Sequence, residues 1–132
     1  MNQVKIKVGY NWWFHQGSLI QEESGFRLHD SDPVKAHNNC HMKTCHHFIR
    51  GKLYKCGVVA LLPEFGEQYS LLLSDDERTL MTNYQPLSLD DDDETKINFV
   101  KMLPNPILQC KFCPEVYHGD QIFAFEKREL QR

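Results

Sequence analysis

Long hydrophobic runs are missing from this chain of 132 residues. No window approaches the roughly 18 apolar residues of a membrane span, and the opening MNQVKIKVGYNWWF lacks the unbroken apolar core of a signal peptide. The expectation is a soluble, cytoplasmic protein with no membrane partner. An excess of one charge is missing too: 15 Lys plus Arg stand against 18 Asp plus Glu, a formal net charge of -3. Nothing in that balance compels binding to nucleic acid. Residues 1–132 fit a single small domain, far short of the roughly 250 residues of an enzyme barrel. The aspartate run Asp90 to Asp93 lacks the central glycine and spacing of an EF-hand, so it reads as the capped, solvated start of a helix rather than a calcium site.

What the chain does have is thiols: Cys40, Cys45, Cys56, Cys110 and Cys113. Disulfides are rare in reducing compartments, an odd number leaves one thiol over, and Cys110-x2-Cys113 is spaced like a ligand pair rather than a loop-closing staple. Clustered thiols in that setting point to a metal. Three of them lie in CHMKTCHHFIRGKLYKC, residues 40–56. There HHFI and KLYK flank Arg50-Gly51, a hairpin signal that sets Ile49 opposite Lys52 and Phe48 opposite Leu53. Extrapolated outward, that register sets Cys45 opposite Cys56, with Cys40 able to fold back onto the same open end. His41, His46 and His47 sit beside these thiols, and imidazole is a good zinc ligand. Adjacent His46 and His47 cannot point the same way on a strand, so at most one would face a metal. His15, His29, His37 and His118 carry no spacing argument.

Elsewhere, alternating Val4, Ile6 and Val8 predict a strand ending at Gly9, and Trp12, Trp13 and Phe14 read as packing aromatics. Residues 17–33 are polar and turn-rich and read as a long connection. GVVALLPEFGEQ predicts a helical turn or two that stops near Pro63 and Gly66. A strand or buried run is expected at Tyr69 to Leu73. Ser74 with Glu77 is a capping box opening a short helix. A further helix follows the aspartates and is stopped by Pro104 and Pro106. The fold class is α+β: a small single domain with a β-hairpin and short helices around a cysteine-ligated metal or cluster site.

These residues resemble the C-terminal auxiliary-cluster domain, of SPASM or shorter Twitch type, of radical S-adenosylmethionine enzymes. In such domains a cysteine is followed about 9 to 15 residues on by Gly-x4-Cys, and a Cys-x2-Cys pair comes after a gap. Cys40, Gly51-KLYK-Cys56 and Cys110-x2-Cys113 reproduce that order, over a stretch from about 12 to 114. The complete enzymes carry a Cys-x3-Cys-x2-Cys motif that is absent here, so the chain is not expected to run radical chemistry alone. No cysteine follows Cys113, so the resemblance implies one [4Fe-4S] cluster, as in the Twitch form. The Twitch pattern would use Cys40, Cys56, Cys110 and Cys113. Some auxiliary sites instead use two neighbouring cysteines before the glycine, matching Cys40 and Cys45, with Cys56 and only one of Cys110 and Cys113. The implied role is electron relay or substrate positioning beside a separate radical-enzyme core or redox partner. The alternative is a zinc-stabilised interaction module without redox function.

Overall fold

A computed structural model describes residues 19–116; the expected strand at Val4 to Val8 and the Trp12–Phe14 cluster lie outside them. The described residues form a small α+β unit. Its elements in order are β1 (Leu19–Glu22), β2 (Gly25–Leu28), α1 (Pro33–Asn38), β3 (His47–Ile49), β4 (Lys52–Tyr54), α2 (Gly57–Gln68), β5 (Leu71–Leu72), α3 (Asp75–Thr82), β6 (Leu87–Ser88), α4 (Asp93–Met102) and a 3-10 helix over Leu108–Phe112. Two three-stranded sheets result, ordered β1-β2-β5 and β3-β4-β6. No helix among the described residues is long and apolar enough to cross a membrane.

The hairpin at residues 47–54 has the expected register, with His47 opposite Tyr54, Phe48 opposite Leu53 and Ile49 opposite Lys52. Arg50 and Gly51 both take positive φ, 52° and 76°. A two-residue hairpin turn whose twist matches its strands requires positive φ at both central positions. Arg50 bears that conformation while its guanidinium pairs with Glu64 at 2.7 Å, tying the turn to α2.

Residues 17–33 are not simply a connection. Leu19–Glu22 and Gly25–Leu28 pair antiparallel across a two-residue turn, and β2 then accepts β5 in parallel. The turn Glu23-Ser24 lacks the Asn-Gly type signal that marks such hairpins in sequence, and burial decides instead. Leu28 is sealed into the core, and Phe26 meets Phe65 edge to face at 5.5 Å. The Phe26 amide donates to the Ser70 carbonyl at 2.8 Å. A Cβ on Gly25 would collide with Ser70 backbone and side chain.

The apolar segment after Cys56 also runs further than expected. It is a 12-residue helix, α2, that passes through Pro63. Proline there removes one intrahelical hydrogen bond, to the carbonyl four residues back. Packing offsets the loss: Val59 and Leu62 are buried, and Leu62 joins Leu28 and Phe112 in the core, with Val58, Leu71 and Leu80 packed around them. The Ser74 capping box forms in full: Ser74 Oγ accepts from the Glu77 amide, and Glu77 accepts from the Ser74 amide. Asp92 caps α4 by accepting from the Thr95 amide at 2.7 Å.

Residues far apart in sequence are stitched together where α1 meets the 3-10 helix. The Ser31 amide donates to the Lys111 carbonyl at 2.9 Å. The Asp32 amide donates to Glu115 Oε1 at 2.8 Å, and Asn39 Nδ2 to the Glu115 carbonyl at 2.7 Å. Lys111 pairs with Asp30 at 2.9 Å. Phe112, only 1% exposed, is the apolar anchor of this seam.

Candidate metal centre

Each candidate thiol has its own local reason for its position. Cys40 follows α1, its amide bonded to the His37 carbonyl at 3.1 Å. Cys56 is the N-cap residue of α2, in extended backbone. Cys110 lies within the 3-10 helix, and Cys113 closes it, donating its amide to the Cys110 carbonyl at 3.1 Å. That tight turn is what lets a Cys-x2-Cys pair present both sulfurs to one side. No disulfide joins any of the five cysteines.

Four of them, Cys40, Cys56, Cys110 and Cys113, line one partly open pocket. The stitched seam supplies Cys40, Cys110 and Cys113, and the end of the second hairpin supplies Cys56. Cys45 is exposed and does not line the pocket. The strand ladder ends at His47 and Tyr54. Beyond it the Cys45 amide bonds back to the Met42 carbonyl at 2.9 Å, in a turn that draws the chain off the strand. His46 Nδ1 donates to the Lys55 carbonyl at 2.7 Å in place of a ladder bond. His47 packs its ring beside Gly57. None of His41, His46 and His47 lines the pocket.

Burial pushes the Cys56 thiol above its ordinary range. The amides of Val59 and Val58 at the start of α2 work against this, although the sulfur closes no hydrogen bond of full cap geometry. Burial raises Cys110 too, opposed by the Ile107 amide, which donates to its sulfur at 3.5 Å. Cys40 raises both, Cys56 raises Cys110, and Lys55 lowers both. Cys40, Cys56 and Cys110 therefore stand close enough for charge on one to disfavour charge on Cys56 or Cys110. A bound cation inverts that logic, because a coordinating thiol is deprotonated outright.

The wall holds two residues that spacing did not single out. Lys55, 4% exposed, turns its ammonium to the Leu103 carbonyl, and its amide donates to the Tyr84 hydroxyl at 2.8 Å. His37, 7% exposed, occupies the last turn of α1. Lys43 also lines the pocket. The signal for His37 was its place three residues before Cys40, legible only once α1 is known to be a helix. Among the described residues, no three His, Cys, Asp or Glu side chains stand close enough to close on a single metal ion. Comparison with protein-family models, curated proteins and solved structures finds no match.

Proposed function

We propose that the chain is an iron–sulfur protein whose single [4Fe-4S] cluster is held by Cys40, Cys56, Cys110 and Cys113. The observation that carries this reading is that four thiols from three separate segments line one pocket while the fifth is left outside it. Those four are also the set that the resemblance to the Twitch-type domain implies. A cubane gives each thiolate its own iron. A single zinc instead draws four sulfurs to about 2.3 Å from one centre. Both groups accept four thiolates, and the resemblance favours the cluster.

The residues present suit that group. Four thiolates on an oxidised cubane leave a net negative charge, and Lys55, whose charge already favours the Cys56 and Cys110 thiolates, would offset part of it. The Val58, Val59 and Ile107 amides face the Cys56 and Cys110 sulfurs, the kind of donor that tunes a cluster's potential. When bound, the cluster would supply one-electron redox chemistry. This chain's residues would hold it, limit solvent on one side and leave the pocket mouth open toward a partner. The role we assign is electron relay or substrate positioning for a separate radical S-adenosylmethionine core or another redox partner.

The test is anaerobic reconstitution of the full chain, followed by iron and sulfide analysis with absorption and electron paramagnetic resonance spectra. The reading predicts a brown protein with a reducible cubane signal. A colourless protein holding one equivalent of zinc and refusing iron would replace it with the zinc-stabilised interaction module.

A further inference from the structure

His37 is the polar group in the pocket wall whose bonding is incomplete. It lines the same space as the four thiols, it is more than nine-tenths buried, and its Nε2 has no hydrogen-bond partner in the protein. Leaving a buried ring nitrogen without a partner is costly, so a second reason for its presence is needed. Two independent features fit a ligand that accepts hydrogen bonds. Its backbone belongs to α1, which is stitched to the 3-10 helix that carries Cys110 and Cys113. Four cysteines line the same pocket, so sulfur is an acceptor chemistry that the pocket offers.

Resting on the cluster reading above, we propose that His37 donates an Nε2–H hydrogen bond to a sulfur of the bound cluster, either a bridging sulfide or a ligating cysteine. His37 is thus a positioning and potential-setting residue rather than a ligand. An imidazole can carry the one N–H that this bond needs. The bond strengthens as electron density on the sulfur rises, so it favours the reduced cluster.

The experiment uses the reconstituted full chain, with iron and sulfide measured first in every sample. In wild type labelled with nitrogen-15 histidine, pulsed paramagnetic resonance of the reduced cluster is expected to show a weak coupling to one histidine nitrogen, lost in His37→Gln. At a fixed potential, His37→Leu is expected to lower the reduced-to-oxidised ratio about tenfold, equivalent to 59 mV for one electron. His37→Gln, which keeps an N–H donor of similar reach, restores most of it. A loaded wild type with no histidine coupling overturns the proposal and leaves the cluster reading standing. Loaded variants with unchanged potentials do the same. A strong coupling typical of direct ligation overturns the donor role, and a wild type that takes up no iron overturns both.

Discussion

Phe112 sits between the two cysteines of Cys110-x2-Cys113 and is 1% exposed, in the core with Leu28 and Leu62. Replacing it with alanine removes a whole buried ring from a short helix that cannot move inward, because Ser31, Asp32 and Asn39 hold the neighbouring backbone. Truncations of this kind cost about 3–5 kcal/mol. A domain of this size has a total stability of roughly 5–15 kcal/mol. Phe112→Ala should therefore lose about a fifth or more of the apoprotein's stability, and Phe112→Leu, which keeps part of the volume, about 1–2 kcal/mol. The assay is urea unfolding under reducing conditions with a chelator present, so that metal binding adds nothing. The midpoint should fall with little change in the slope. A loss below about 1 kcal/mol for Phe112→Ala would refute the claim that the core anchors the Cys-x2-Cys turn.

Gly51→Ala isolates backbone strain, since an added Cβ meets nothing within 4 Å while φ stays at 76°. It should cost about 1–2 kcal/mol in the same unfolding assay, whereas Gly25→Ala, which also collides with Ser70, should cost more. Ser74→Ala breaks the capping box of α3 and should cost about 1 kcal/mol, read as a lower thermal midpoint. In the metal-free protein Cys45, which is exposed, should be alkylated by iodoacetamide first, with Cys56 and Cys110 lagging because their thiols are raised, as peptide mass mapping would show. Their raised values also set a pH dependence. The folded chain holds these protons more tightly than the unfolded chain, so their contribution is fully present below the ordinary thiol value of 9.0 and is lost as pH rises past it through the folded values. Apoprotein stability should fall above about pH 9, less steeply in Cys56→Ala.

Local signals carried much of the fold. The Arg50-Gly51 hairpin register, the Ser74–Glu77 capping box and the capped start of α4 depend on neighbours within a few residues, and the structure has them as the sequence reads. What sequence did not reveal depends on distant contacts. The β1–β2 hairpin has an unremarkable turn and is held by Leu28 in the core and by β5 alongside. Pro63 argues locally for a helix end, and only the burial of Val59 and Leu62 overrides it. The same divide runs through the site. Spacing singled out five thiols, but extending the hairpin register to Cys45 failed because a turn intervenes before the strand begins. His37 and Lys55 enter the wall only through the meeting of α1 with the 3-10 helix and the end of β4.

The central claim is that one four-iron cluster sits on Cys40, Cys56, Cys110 and Cys113. Native mass spectrometry of the anaerobically reconstituted chain tests it most directly. The account predicts a gain of four iron and four sulfide per chain in wild type and in Cys45→Ser, with the gain lost or degraded to smaller clusters in Cys113→Ser. A single zinc increment in wild type, or an intact cluster in Cys113→Ser that disappears in Cys45→Ser, would contradict it.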